Sequence, residues 1–329
     1  MAEKTFVQTL DAIASGFQRS QVLFTALRAG LFPMLEHPQS VEEIAAAKGW
    51  SIRGTRMLLD GLAAIHLVEH EEGRFKNAMI ASRCLVPGGP EDRTNILTHT
   101  ANSYENYGRL IESVESGGPI PRPDRTCDPG SQRAFILGMA DTARESADLL
   151  LKTIDRAPYH RLLDLGGGPG SYSIAFVRAG ENRRATIADL PQTLCITREV
   201  VDHAGAAEAI DLAEVDLTKD ALPGGHDVML LSNVIHCFSG EVNREIVQRC
   251  FDALEPGGLI VIKDFLLDSG RTGPAWSLLF AIHMLLHTPE GDTFTIDEVA
   301  GWTDAAGFAP GWLVEMTPQT RLWLALKPK

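Results

Sequence analysis

Apolar residues in the first hundred positions recur at intervals of three and four. Phe6, Leu10, Ile13 and Phe17 fall on one face of an amphipathic helix. Ser20 can cap a following helix, which Gly30 ends. Ser40-Val-Glu-Glu43 has the Ser-x-x-Glu spacing of a capping box, ahead of Ile44 and a run of alanines that Gly49 closes. Ser51 opens another helix, with Met57, Leu58, Leu62 and Ile65 as its apolar face. The pattern then shortens to a hairpin, Leu67 to His70 and Arg74 to Lys76, around Glu71-Glu72-Gly73. Helices followed by a hairpin are the order of a winged helix, which serves either to read DNA or to pack and dimerise. The presumed recognition helix carries only Arg53 and Arg56 against Asp60, so packing or dimerisation is expected and nucleic acid is not.

Two longer helical stretches, 96–114 and 132–154, flank a loop dense in glycine and proline over 115–132. From Arg161 short apolar runs alternate with helical spacing. Leu162 to Leu165, Ala185 to Ala188, Ala213 to Val215, Asp227 to Leu231 and Leu259 to Ile262 read as five strands. Trp312 to Val314 and Leu322 to Leu326 read as an antiparallel edge pair. Alternating β and α predicts a Rossmann-like, doubly wound α/β sheet with helices on both faces. The expected organisation is therefore a mostly helical winged-helix domain over 1–100 and an α/β domain over 101–329.

Length and composition sharpen this picture only in part. A chain of 329 residues is long enough for two domains and a core that needs no metal or disulfide. With 30 Lys+Arg against 43 Asp+Glu the net charge is −13, a field that repels phosphate backbones and tolerates a cationic ligand. Five widely spaced cysteines (84, 127, 195, 237, 250) without a Cys-x-x-Cys read as reduced thiols. The first ten residues lack a signal-type apolar stretch, and the run from Ala275 to Leu286 is too short to span a bilayer. A cytoplasmic protein with no membrane partner is expected.

Candidate chemistry begins at Leu162-Leu-Asp-Leu-Gly-Gly-Gly-Pro-Gly-Ser171. Gly166, Gly168 and Gly170 form a GxGxG turn between a strand and a helix, where a ligand can approach the backbone closely. Asp164, just before it, suits a positively charged ligand better than a pyrophosphate. Asp189 ends the second strand, where a carboxylate can accept hydrogen bonds from ribose hydroxyls. Asp216 follows the third, placed for an adenine amino group, with Leu217 beside it to pack on the ring. Three acids at successive strand ends suit S-adenosylmethionine, which is cationic at sulfur and has no phosphates. His236 follows the fourth strand and can take a proton from an acceptor hydroxyl.

On these residues the stretch from Leu162 to Phe265 resembles class I S-adenosylmethionine-dependent methyltransferases. Nearly the whole chain resembles the small-molecule O-methyltransferases related to plant caffeate and acetylserotonin enzymes. The matching stretches are Leu163 to Ser171, Asp189-Leu-Pro191, Val215-Asp-Leu217, Leu231 to Ser239, Leu254 to Ile262 and Ala305-Ala-Gly-Phe308. The resemblance implies that Leu190, Ser232 and Asn233 join the acids and glycines in holding the cofactor. It also implies that His236 is the catalytic base, that Asp264 orients it, and that the N-terminal domain forms a homodimer. Phe238, Trp276, Phe280, Met284 and His287 are the implied lining of the acceptor pocket, with Tyr104 and Met139 opposite them.

The chain departs from the family pattern in two places. The usual His-Asp-Trp reads His236-Cys237-Phe238, and a second supporting glutamate aligns with Thr293, with Glu290 and Asp292 as possible substitutes. The expected activity is methyl transfer to a small hydroxylated, aromatic or secondary-metabolite acceptor. The alternatives are C-methylation of an α-keto acid or another enolisable carbon, and a protein that binds the cofactor without methylating. His283 and His287 share a helix face and could with His236 hold a metal, but the pattern lacks a metal motif and none is assigned.

Overall fold

The computed structural model describes residues 5–120, 129–154 and 159–329 and divides into two compact units, Met1–Glu105 and Asn106–Lys329. Cys127 and the centre of the expected loop lie outside the described residues.

The first unit contains α1 (Phe6–Arg28), α2 (Leu31–Met34), α3 (Val41–Lys48), α4 (Ile52–Ala64), β1 (Val68–Glu71), β2 (Arg74–Asn77), α5 (Met79–Cys84) and most of α6 (Thr94–Tyr107). The expectation of a break at Ser20 is corrected, because α1 runs through it to Arg28. No glycine or proline interrupts residues 17–28, so a serine alone does not stop the helix. The Ser40 capping box forms as expected: the Ser40 N–H donates to Glu43 Oε2 at 2.7 Å and the Glu43 N–H donates to Ser40 Oγ at 3.2 Å. Gly49 ends α3 in the left-handed conformation. In α4 the inward face is Thr55, Leu59 and Leu62, while Met57 stays exposed. The core of this unit gathers Phe32, Leu35, Ile44, Leu59, Leu62 and Phe75. Only the end of α1 contributes to it, so Phe6, Leu10, Ile13 and Phe17 form an exposed apolar face.

The second unit runs through α7 (Leu110–Ser116), α8 (Pro129–Ile154), β3 (Arg161–Leu165), α9 (Ser171–Arg178), β4 (Arg184–Asp189), α10 (Pro191–His203), β5 (Ile210–Glu214) and β6 (His226–Ser232). A 3-10 turn at Ile235–Cys237 precedes α11 (Gly240–Ala253), β7 (Leu254–Asp264), α12 (Ala275–His287), α13 (Ile296–Ala306), β8 (Trp312–Glu315) and β9 (Arg321–Leu326). The sheet order is β5-β4-β3-β6-β7-β9-β8, parallel from β5 to β7 and antiparallel at β9 and β8. The expected stretch 96–114 is two helices, α6 and α7, separated at residues 108–109. The third strand lies slightly earlier than expected. As an edge strand carrying Asp211 and Glu214, it shows no strong apolar pattern.

Both faces of the central strands are covered. Leu163, Leu165, Met229, Leu231, Ile260 and Ile262 pack toward α11 and α13. Leu162, Ile187, Val228, Leu230, Leu259 and Val261 pack with α8, α9 and α10. Burial on this scale, at about 1.5–3 kcal/mol per large apolar side chain, fixes the strand register and hence which residues emerge at the carboxyl edge. At that edge stand the glycine loop after β3, Asp189 of β4, the turn after β6, and Lys263 and Asp264 of β7.

Candidate active site

The glycine loop is shaped by the backbone it must adopt. Gly166, Gly168 and Gly170 have φ of 64°, 53° and 78°, a region that side chains rarely enter. A Cβ on Gly170 would lie 2.6 Å from Ile187 Cδ1, and one on Gly166 would lie 2.8 Å from Val234 Cγ2. At Gly168 a Cβ would meet nothing within 4 Å, so the loop presents bare backbone to an open space that a ligand can fill.

Four acids surround this loop and the base. Asp189 accepts the Gly168 N–H at 2.8 Å and the Leu190 N–H at 2.7 Å, one on each carboxylate oxygen. Burial pushes its pKa up. Asp164 lies beneath the loop, 1% exposed, and Ser173 Oγ donates to its Oδ2 at 2.7 Å. Its Oδ1 is buried without a partner, and burial lifts the carboxyl to about 7. Asp216 is bonded locally: Thr218 donates to it through its hydroxyl at 2.6 Å and its N–H at 3.0 Å, and Lys219 pairs with it at 3.1 Å. These contacts, the Thr218 hydroxyl foremost, hold its pKa near 2. Leu217 is buried and Leu190 exposed.

Val234 packs on Gly166, and the residue before it, Asn233, is held in the left-handed region at φ 58°. The Asn233 N–H donates to the Lys263 carbonyl at 2.8 Å and the Lys263 ammonium donates to Asn233 Oδ1. Ser232, half-buried, ends β6.

His236 sits in the 3-10 turn, buried, with Nδ1 at 2.7 Å from Asp264 Oδ1. Because a carboxylate can only accept, Nδ1 carries a proton, and in the neutral ring Nε2 holds the lone pair. Burial pulls the imidazole pKa down. The charge of Asp264, aided by Cys237, more than reverses this and lifts it to about 10. Asn243 of α11 donates to the Ile235 carbonyl at 2.8 Å and to the Phe238 carbonyl at 3.3 Å, fixing the turn from below. Gly291 lies against the other side, where any Cβ would overlap the His236 carbonyl.

Rings surround the imidazole. Phe280 meets it edge-on at 4.9 Å and Phe265 lies at 5.9 Å. Phe265 and Phe280 are 4.4 Å apart, Trp276 extends the group from Phe265, and His283 continues it from Phe280 toward His287 and Tyr107. His287 donates from Nδ1 to the His283 carbonyl at 2.7 Å and accepts from Asn106 at Nε2 at 3.0 Å. Of the expected lining, Trp276, Phe280 and His287 fall in this row. Met284 is buried on α12, and Phe238 packs on the core beneath the turn. Met139 is half-buried on α8 and Tyr104 belongs to the first unit. Phe265, Tyr107, Asn243 and Lys263 were not expected, and His283 was considered only as a metal ligand. Only Phe265, next to Asp264, carried a signal that could have been read.

Neither proposed substitute acid takes the place of the family's second glutamate. Asp292 pairs with Arg271 at 3.0 Å and accepts the Thr293 N–H, and Glu290 is exposed. The buried Thr293 hydroxyl donates to the Ser277 carbonyl at 3.2 Å.

Residues 123–309 match the family model of the O-methyltransferase domain, and residues 12–87 match that of the O-methyltransferase dimerisation domain. The chain belongs to the O-methyltransferase family. This O-methyltransferase is 31% identical to 3-hydroxy-5-methyl-1-naphthoate 3-O-methyltransferase of Streptomyces sahachiroi, over 91% of this chain and 88% of that one. It is 30% identical to acetylserotonin O-methyltransferase of Bos taurus, over 91% of each chain. Among solved structures it resembles human N-acetylserotonin methyltransferase in complex with SAM, with a TM-score of 0.88, 26% identity, and 100% and 99% coverage. The methyl donor is S-adenosylmethionine, and the bare glycine loop and the orphaned Asp164 oxygen fit a cationic ligand of that kind. These relatives give no support to C-methylation or to binding without transfer. Among the described residues no helix is long and apolar enough to cross a membrane.

Proposed function

We propose that this O-methyltransferase methylates the hydroxyl of a small aromatic acceptor, with His236 as general base and Asp264 as its orienting acid. The observation that carries this reading is the 2.7 Å His236–Asp264 pair set among aromatic rings at the carboxyl edge of the sheet. Trp276, Phe280 and His287, joined by Phe265, would flank a flat acceptor, with Met139, Phe238 and Met284 as further contributors; Tyr104 enters only through the family resemblance.

S-adenosylmethionine, when bound, supplies an electrophilic methyl group on a sulfonium. Gly166, Gly168 and Gly170 would hold it by backbone, Asp189 and Leu190 at the ribose, Asp216 and Leu217 near the adenine, and Asp164, Ser232 and Asn233 along the methionyl part. His236 Nε2 takes the hydroxyl proton as the acceptor oxygen becomes nucleophilic. Asp264 stabilises the imidazolium that forms and keeps the ring from turning. Fixed rings around the acceptor contribute by alignment, and proton transfer contributes about 10²–10⁴-fold.

The first unit, assigned here as a dimerisation domain over about residues 1–100, would pair two copies through the exposed face of α1. The remaining residues, 101–329, form the methyltransferase domain. The reading places the enzyme in the cytoplasm, with no nucleic-acid partner. Incubation with methyl-labelled S-adenosylmethionine and a panel of phenols, aliphatic alcohols and keto acids tests the acceptor class. Label on phenolic oxygen is expected; label confined to carbon or to aliphatic oxygen would overturn it.

A further inference from the structure

We propose that Lys263 is the anchor for the α-carboxylate of S-adenosylmethionine. The proposal rests on the donor lying over the glycine loop. The ammonium belongs to a residue only 4% exposed, next to last in β7 and, by strand alternation, on the face opposite Asp264. It donates to Asn233 Oδ1 and lies 5.6 Å from the centre of the Tyr172 ring. Tyr172 is the second residue of α9, directly after Gly170, and its hydroxyl is bonded to Ser146 of α8 at 2.8 Å. Val234, next to Asn233, touches Gly166. The ammonium therefore stands where the turn after β6 meets the two ends of the glycine loop.

Such a group is incomplete as it stands. An ammonium has three N–H bonds, and a neutral amide oxygen with a ring face answers only part of them. Among the described residues no carboxylate pairs with Lys263, while the adjacent Asp264 is committed to His236 on the other side of the strand. A buried cation without an anion is costly, so the site calls for a negative group. The helix that begins beside it points the same way. Gly170 caps α9 without a side-chain hydrogen bond, and while the Ser173 N–H is taken by Asp164, those of Ser171 and Tyr172 in the first turn can meet an anion. The donor carries one anion, its α-carboxylate, beside two cationic centres. Acids beneath and around the loop suit the cationic centres, and the lysine suits the carboxylate.

The test measures binding of the demethylated donor, S-adenosylhomocysteine, against its decarboxylated form by titration calorimetry. An ion-paired hydrogen bond at a buried site corresponds to a preference of about 10- to 100-fold for the carboxylate in the wild-type enzyme. Lys263→Met is expected to abolish that preference by weakening S-adenosylhomocysteine alone, and Lys263→Arg to retain most of it. Equal binding of the two ligands by the wild type overturns the proposal without any variant. So does an equal loss for both ligands in Lys263→Met, which would mark the lysine as a purely structural clamp on Asn233. Failure of the wild type to bind either ligand would instead overturn the placement of the donor over the glycine loop.

Discussion

His236 and Asp264 come from the ends of neighbouring strands and share one proton-bearing contact, Nδ1 to Oδ1 at 2.7 Å. The carboxylate favours the charged ring, so the imidazole pKa stands well above its ordinary value, at about 10. A base works only when deprotonated. The pH profile of kcat/KM is therefore expected to rise on the alkaline side of 6.5 rather than level off there. Asp264→Asn removes the charge, which moves the rising limb to lower pH while reducing the plateau by at least about tenfold, because the ring loses its orientation. A profile centred at the ordinary imidazole value in the wild type would contradict this assignment.

The same pair bears on stability, with a definite sign. A histidine whose pKa is raised on folding stabilises the protein fully below its unfolded value, near 6.5. It loses that contribution as pH climbs through the folded value. The melting temperature of the wild type, relative to His236→Gln, is expected to be highest below pH 6.5 and to shrink as pH rises toward 10. Thermal denaturation across that range checks it.

Removing the base separates chemistry from binding. His236→Ala is expected to lower kcat by about 10²–10⁴-fold. Its affinity for S-adenosylhomocysteine should stay close to wild type, since the ring is bonded to Asp264 while Asp189 is bonded to the glycine loop. Single-turnover rates and calorimetry on the same preparation distinguish the two effects.

Gly170 meets two constraints at once, φ of 78° and a neighbour that would sit 2.6 Å from any Cβ. Gly170→Ala is expected to destabilise the enzyme by about 2–4 kcal/mol, adding left-handed strain to overpacking against Ile187. Gly168→Ala meets strain but no clash, so its stability loss should be smaller and its loss of donor affinity larger. Urea unfolding and ligand titration together check the pair.

The exposed face of α1 supports a fifth expectation. Phe6 is 92% and Ile13 73% exposed in a single chain, a cost that a second copy would remove. Leu10→Glu combined with Phe17→Glu is expected to shift the enzyme from dimer to monomer in analytical ultracentrifugation, with the helical signal retained.

The strands that carry the site were legible because both their faces are buried, leaving mostly apolar runs such as Leu162 to Leu165, interrupted only by Asp164, and Val228 to Leu231. The edge strand β5 was less clear, since its solvent side breaks the pattern. His236, Asp264 and the glycines could be found from their positions at strand ends. The ring row was legible only on α12, through Trp276, Phe280 and His287: Phe265 and Tyr107 lie on other segments, and only tertiary packing brings them together. Asn243 and Lys263 were hidden for another reason. A polar residue in a helix or strand looks like any solvated side chain until its burial is known. Ser20 shows the reverse case, a capping residue whose neighbours continue the helix regardless.

Lys263 and Asp264 are consecutive in β7 yet serve opposite faces, one toward Asn233 and the other toward His236. A slip of a single residue would set the Lys263 cation against the imidazole in one direction, or the Asp264 anion against the amide in the other. Besides burial and the pairing of Ser232 in β6 with Lys263, what opposes this is β9, whose Leu322 and Arg321 pair with Lys263 and Asp264. The C-terminal strand is thus a ruler for the acid–base chemistry, and lesions far from the acceptor, in its pairing with β7, should register first as a misplaced proton.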